Sequence, residues 1–278
     1  MDGLTVDATK EIMNQLDIHS FIQFCSANHQ LVGICDDEVL WKNKYERYYR
    51  FSGMMKYKTT YKHLVMLCYQ LDILLGYFYN VNVYQRPTTL LQLRQLYEKT
   101  TLDSEPTKLG QPPDHLDVLI HLDTLKIYYA HMSVIPSSLF KLTNLTHLDL
   151  SHNQIQIIPS EIGDLIHLTF LDLSYNQIII IPPEIGQLQH LTYLSLSHNQ
   201  ITIIPTEMGQ LQHLTQLYLN QNQITFIPYE LIHLTNIRYI QLYYNNNLHQ
   251  FIRSYDELKN YLEHQHITQT LSRGDYNF

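Results

Sequence analysis

Between residues 122 and 245 the apolar positions recur with a period that neither a long helix nor a simple strand would give. In LTHLDLSHNQIQIIPSEIGDLIH (145–167), LTFLDLSYNQIIIIPPEIGQLQH (168–190), LTYLSLSHNQITIIPTEMGQLQH (191–213) and LTQLYLNQNQITFIPYELIHLTN (214–236), Leu stands at positions 1, 4 and 6, Asn at 9 and Ile at 11. The four segments align without a gap, so the period is 23 residues, inside the range that marks stacked repeats. Positions 4 and 6 share one face of a short strand. The pairs Leu148/Leu150, Leu171/Leu173, Leu194/Leu196 and Leu217/Leu219 therefore predict parallel strands side by side, ~4.8 Å apart. Each unit can hide its apolar face only against its neighbours. Degraded copies flank the four: Leu122, Leu125, Ile127 and Pro136 before them, with Ala130 in the Asn place, and Ile237, Ile240, Leu242 and Asn245 after them. Fainter traces at Leu102, Leu109, Pro113, Leu116 and Leu119 predict that the array starts or is capped near residue 100.

Three polar columns accompany the apolar ones. Asn153, Asn176, Asn199, Asn222 and Asn245 fall where the chain turns out of each strand, where a short amide can satisfy orphaned backbone groups. Pro136, Pro159, Pro182, Pro205 and Pro228 open the outer segment, where a fixed φ and a missing donor are tolerated. Glu161, Glu184, Glu207 and Glu230 follow two residues later. Acidic groups in the first turn of a helical segment answer the helix dipole, whereas paired carboxylates acting as acid and base need a cleft that shifts their pKa values.

This pattern resembles the leucine-rich repeat family and covers roughly half the chain. The resemblance implies an α/β solenoid with a parallel sheet on its concave face. Strand positions 3, 5, 7 and 8 point away from the Leu core and line that face. Among them His147, Asp149, His152, Phe170, Asp172, Tyr175, Tyr193, His198, Tyr218 and Tyr239 are candidates for binding a protein partner. Tyr and His offer wide contact area at small entropic cost. Asp149 and Asp172, with no basic residue near them in sequence, favour a partner that presents Lys or Arg. His147, His152 and His198 lack the spacing of a metal site, so no metal is expected.

The first 50 residues carry a different, helical pattern. Asp7 precedes a stretch with Ile12 and Leu16 four apart; Phe21, Phe24 and Cys25 form a second stripe; Asp36 is placed to cap a third helix containing Leu40, Trp41, Tyr45 and Tyr48. The segment resembles an F-box, through Leu4, Ile12, Leu16, Asp17, Phe21, Cys25, Leu31 and the closing Leu40–Trp41–Lys42, with Thr5 where that family has Pro. The resemblance implies docking to a Skp-like adaptor of a cullin-type ubiquitin ligase through Leu4, Ile12, Leu16, Phe21, Cys25, Leu31 and Trp41, unless Trp41 serves the segment's own packing. The alternative is a helical cap on the repeats. The two parts together, with their Asn, Ile and Tyr bias, are similar to F-box and leucine-rich repeat proteins of giant amoeba viruses, which implies a viral effector in host cytoplasm.

The domain plan that follows is an all-helical F-box-like segment at 1–50, a helical linker and cap at 51–115, repeats at 116–248, and a capping helix with a frayed tail at 249–278. Leu64 to Leu75 forms a buried helix; the whole apolar stretch from Leu64 to Val81 carries Gln70 and Asp72 midway, and a mid-membrane Asp costs about 2.5–3.5 kcal/mol, so no membrane span is expected. Leu258 and Leu262 mark the terminal helix over Ser254 to His264.

Charge narrows the function. Lys and Arg number 18 and Asp and Glu 26, a net of −8; residues 116–278 hold 6 basic and 13 acidic groups, and no Lys or Arg occurs between Lys141 and Arg238. Nothing there could release counterions from a nucleic acid. Residues 42–62 are the reverse, with seven basic groups among aromatics; a solvated face, a patch for an acidic protein and a nucleic-acid contact all fit that composition. Cys25, Cys35 and Cys68 are odd in number and unclustered, which places the chain in a reducing compartment, the cytoplasm. With no nucleophile elbow, phosphate loop, metal spacing or cofactor motif, a non-enzymatic, monomeric binding protein is expected, its stronger form a substrate receptor for a ubiquitin ligase and its weaker form a stand-alone repeat scaffold.

Overall fold

A computed structural model describes residues 21–22, 37–48, 65–66, 69–71, 73–74, 77, 101–103, 111–246 and 252–272. The chain divides into two compact units, Met1–Glu98 and Lys99–Phe278. Of the adaptor-contact candidates, Leu4, Ile12, Leu16, Cys25 and Leu31 lie outside the described residues.

In the first unit, helix α1 (Glu38–Tyr48) is the third of the expected helices. Its cap is Asp37 rather than Asp36: the Asp37 carboxylate accepts the Val39 N–H at 2.8 Å, the bond an N-cap makes to the second helical residue. Phe21 and Trp41 are fully buried and meet edge to face at 4.7 Å. Lys44, one of the seven basic residues of 42–62, is only 1% exposed and holds its ammonium 5.0 Å from the Phe21 ring centroid. A buried ammonium needs a compensating field, and an aromatic face supplies part of it. Residues 65, 66, 69–71, 73, 74 and 77 are helical, with Val65, Leu71 and Leu74 buried, as the apolar run predicted.

The second unit is the solenoid. Seven three-residue strands, β1 (Thr101–Asp103), β2 (Thr124–Lys126), β3 (His147–Asp149), β4 (Phe170–Asp172), β5 (Tyr193–Ser195), β6 (Gln216–Tyr218) and β7 (Tyr239–Gln241), pair in sequence order in one parallel sheet. Leu102, Leu125, Leu148, Leu171, Leu194, Leu217 and Ile240 are in register down its middle, and all are buried. The faint trace at Leu102 is thus a strand of the sheet. One residue per repeat in register is what a strict 23-residue period delivers, since a slip by one would turn every Leu to the opposite face.

A three-residue 3-10 turn, Leu116–Val118, precedes β2, and between β2 and β7 each return passes through a five-residue one: Ser137–Lys141, Ser160–Asp164, Pro183–Gln187, Thr206–Gln210 and Tyr229–His233. The Pro column stands immediately before these five-residue turns, in extended backbone with φ between −64° and −70°. A 3-10 turn packs side chains three apart, and the Gly in the middle of three of them allows successive turns to touch. A Cβ on Gly186 would lie 2.6 Å from the Glu207 carbonyl oxygen.

The Asn column binds the repeats to one another. Asn176 Oδ1 accepts the N–H of Ile155 in the preceding repeat at 2.9 Å, and its Nδ2 donates to the Leu150 and Leu173 carbonyls at 3.0 and 3.1 Å. Asn153, Asn199, Asn222 and Asn245 make the equivalent bonds. On the other edge of the strands Thr169, Thr192 and Thr215 each donate a hydroxyl to the carbonyl of the Thr one repeat earlier, at 2.9–3.0 Å. The array closes on helix α2 (Tyr255–Ser272), which continues eight residues past the expected His264. Leu258 and Leu262 are buried, and the Tyr255 hydroxyl donates to the Ile232 carbonyl at 2.8 Å.

Candidate functional site

The ten predicted contact residues all stand on the open face of the sheet, and their side chains sort into two stacked ladders with a carboxylate pair between strands. The first ladder comes from position 3. His147 stacks on Phe170 at 4.9 Å and Phe170 on Tyr193 at 4.3 Å, with interplanar angles of 6° and 9°. Tyr193 then meets Tyr218 of the neighbouring column at 5.4 Å and 43°. Parallel strands bring like positions to one strand spacing, a little more than the contact distance of two rings, so a column of aromatics stacks without further design. Tyr239 occupies the same column on β7 and is 60% exposed.

The second ladder runs along the rim at position 8. Tyr129, His152, Tyr175 and His198 stack at 4.1, 4.1 and 3.9 Å. Each of these residues has φ between 52° and 54°, the left-handed region, and Gln221 and Tyr244 continue the series at 55° and 56°. A residue with a Cβ held there costs ~1–2 kcal/mol. The conformation turns the backbone outward one residue before the ladder Asn, whose amide bonds and the ring stacking hold it. Tyr129, outside the ten predicted residues, belongs to this ladder; the signal that finds it is the Tyr/His pair-of-types immediately before the Asn place, continued back to the degraded first repeat.

Asp149 and Asp172 are register partners on β3 and β4. Each accepts a backbone N–H two residues on, from Ser151 at 3.0 Å and Ser174 at 2.8 Å. Burial raises the Asp172 carboxyl above its usual range and Asp149 adds to the rise, while the Ser174 hydrogen bonds oppose it. The Tyr193 hydroxyl is pushed up to about 12, first by burial and then by the Asp172 charge. Burial, followed by repulsion from His152, lowers the His198 imidazole. Lys126, in the same column as the two carboxylates, is paired with Asp103 at 3.6 Å. At position 7, by contrast, Ser151, Ser174, Ser197 and Asn220 are buried, while Tyr128 and Tyr243 at the two ends of the column are part-exposed. The resulting face offers ring edges and carboxylate oxygens, groups suited to holding side chains of another macromolecule and not arranged as nucleophile, base and oxyanion donor.

The opposite flank carries a shallow groove between Thr146, Thr169 and Thr192 and the histidines His167, His190 and His213, whose rings are 6.3 Å apart. Among the described residues no group of three or more His, Cys, Asp or Glu side chains could hold a metal ion. No helix among them is long and apolar enough to cross a membrane.

Comparison with known proteins agrees with this geometry. Residues 120–178 and 189–248 match the leucine-rich repeat family, and residues 166–207 match its two-copy form. No curated protein matches the chain. Among solved structures, a leucine-rich repeat protein of Leptospira interrogans is similar at 38% identity and a TM-score of 0.53, over 57% of this chain and 41% of that one. The ectodomain of an Arabidopsis thaliana membrane receptor kinase, solved with Casparian strip integrity factor 2, is 36% identical at a TM-score of 0.47, covering 49% of this chain and 17% of that one. The chain thus spans less than half the length of either structure. Residues 120–248, with their Leu, Asn and Ile columns in one parallel sheet, are an array of leucine-rich repeats.

Proposed function

We propose that this chain is a non-enzymatic recognition protein of the cytoplasm, which holds a Lys- or Arg-bearing protein on the open face of its repeats and couples it, through residues 1–50, to a Skp-like adaptor of a ubiquitin ligase. One observation carries the first half. Two aromatic ladders flank the half-buried Asp149 and Asp172; no Lys or Arg occurs between Lys141 and Arg238, Lys126 beside Asp149 in the sheet is paired with Asp103, and the positive charge that reaches Asp172 is that of His152. A cationic side chain entering that face meets both carboxylates, compensates the burial that raises the Asp172 carboxyl and the charge that Asp149 adds to it, and lies between stacked rings that present their edges. The second half rests on the F-box-like residues. Here Phe21 and Trp41 pack on each other, which supports Trp41 as part of the segment's own core and leaves the adaptor contact to Leu4, Ile12, Leu16 and Leu31. The same packing favours the second reading, a repeat scaffold whose helical unit serves no ligase.

Calorimetric titration of the full chain with a purified Skp-family adaptor distinguishes the two. Saturable binding that is lost in Leu16→Asp/Leu31→Asp, with unchanged circular dichroism, supports the receptor; a flat titration of the unaltered chain leaves the scaffold. For the open face, a photo-cross-linking residue at Tyr175 should trap a protein partner, and Asp149→Lys/Asp172→Lys should abolish the trapped species.

A further inference from the structure

Independently of that reading, the flank where the chain leaves the sheet carries an exposed aliphatic ribbon. It is the thirteenth position of each repeat: Val134, Ile157, Ile180, Ile203 and Phe226, exposed by 62, 73, 69, 70 and 49%. The three isoleucines are tied into successive parallel bridges, Ile157 to Ile180 and Ile180 to Ile203, so the side chains project at a regular spacing of ~4.8 Å. Extended backbone favours β-branching, but Thr meets that preference as well as Ile does, and the adjoining column uses Thr202 and Thr225. Apolarity at the exposed place is therefore an additional property. The five side chains leave roughly 500 Å² of contiguous apolar surface in water, the upper range for a patch on a monomer.

The surroundings of the ribbon say what covers it. Residues 131–137, 154–160, 177–183, 200–206 and 223–229 contain no Asp, Glu, Lys or Arg, in a chain whose net charge is −8. Two copies of so acidic a chain repel one another wherever carboxylates face each other; within this strip none do, the Glu161, Glu184, Glu207 and Glu230 column beginning one residue beyond it. Its ends are also unlike. The small Val134 lies at one end and the large Phe226 at the other, with Ile180 midway. A two-fold axis through Ile180 sets each Phe226 over the partner copy's Val134, each Ile157 over an Ile203, and Ile180 over itself, which is the self-complementarity an isologous contact requires. A standard interface takes about 800 Å² from each partner, so the ribbon would form the dry centre and the flanking Gln, Ser and Thr columns the polar rim.

We infer that the occupant of this ribbon is a second copy of the chain, packed antiparallel about Ile180. Sedimentation equilibrium of the full 32.9 kDa chain is expected to give a reversible monomer–dimer curve. Ile180→Lys removes two buried side chains per dimer and should weaken association by about a hundredfold; Ile180→Thr, which keeps the β-branch and so the fold, should weaken it in the same direction. Val134→Lys and Phe226→Glu should each weaken the dimer alone, and the double variant should recover it, because Lys and Glu then face each other at both ends. A chain that stays monomeric to roughly 100 µM overturns the proposal, as does a dimer indifferent to Ile180→Lys. Single variants that dissociate without recovery in the double overturn the antiparallel register.

Discussion

Replacing Asn176 with Ala removes one rung of the amide ladder and should cost about 2–3 kcal/mol. The figure follows from what the side chain serves. It accepts from the Ile155 N–H and donates to the carbonyls of Leu150, Leu173 and, at the longer distance of 3.2 Å, Ser174. Two amide hydrogens shared among three carbonyls make the Ser174 contact the weakest, and the Leu150 and Leu173 carbonyls also accept from Asn153 and Asn199, both at 3.0 Å, so the group left without a partner is the Ile155 N–H. Ile155, Leu150 and Leu173 are all fully buried. A buried polar group stripped of its partner costs ~1–3 kcal/mol; the N–H, with a single hydrogen to satisfy, stands at the high end, and carbonyls with a second lone pair stand lower. Alanine also removes the restraint that holds Tyr175 in left-handed backbone. Urea unfolding of the full chain followed by far-UV circular dichroism measures the change, with Gln177→Ala, next door and exposed, as a control expected within ~0.5 kcal/mol of the unaltered protein. Asn222→Ala lies two repeats away and should add to Asn176→Ala within ~0.5 kcal/mol. A loss below ~1 kcal/mol for Asn176→Ala would refute the view that these amides hold the repeats together.

Three further outcomes follow from other contacts. Gly186→Ala drives a Cβ against the Glu207 backbone oxygen and should destabilise by about 1–3 kcal/mol. Gly163→Ala meets the tip of the Gln187 side chain at 2.5 Å, which can swing away, so its effect on the melting temperature should be clearly smaller; equal effects would contradict the contact geometry. For Asp172 the raised carboxyl pKa means that the folded chain holds the proton more tightly than the unfolded one, so ionisation at neutral pH lowers stability. Asp172→Asn should therefore raise the urea midpoint at pH 7, and its advantage should narrow as pH falls through the carboxyl range; a gap independent of pH contradicts this. For His198 the lowered pKa means the reverse, a contribution present above the usual histidine range and lost as pH falls. Its NMR titration should fall below the ordinary value and move up in His152→Gln.

The repeat period, the buried Leu columns and the register of the sheet were legible in the sequence because the 23-residue identity of four segments leaves no alternative alignment. The strand residues of the open face, His147, Asp149, Phe170, Asp172, Tyr193, Tyr218 and Tyr239, were equally legible in position, since alternation along a strand decides them, whereas His152, Tyr175 and His198 lie past the strand ends, where it does not. Position 7 was misjudged for a reason visible at Ser151 and Ser174: the strands are only three residues long, so alternation has ended by that point and the chain is already turning inward to the Asn ladder. The left-handed backbone under Tyr129, His152, Tyr175 and His198 was hidden because aromatic residues are unusual there and Gly, the ordinary marker, is absent. The aliphatic ribbon was hidden by its neighbours. In a run such as Gln177–Pro183, with four consecutive isoleucines, no periodicity tells the buried Ile178 and Ile181 from the exposed Ile179 and Ile180. Lys44 shows a composition argument failing: a run of basic residues on a helix still has an inner face.

The amide ladder has a direction. Each Asn supplies its oxygen to the repeat before it, as Asn245 does for Ile224 at 3.0 Å, so every unit borrows an acceptor from its successor. Lengthening by tandem duplication inside the array copies lender and borrower at once and leaves no debt, provided whole multiples of 23 residues are gained. Deletion from the C-terminal side cannot do so, because whichever unit becomes last keeps a donor whose acceptor has gone. The copy around Ile240 and Asn245 supplies its neighbour with both a pairing strand and that acceptor, and so stands as the lender for the repeat that ends at Asn236.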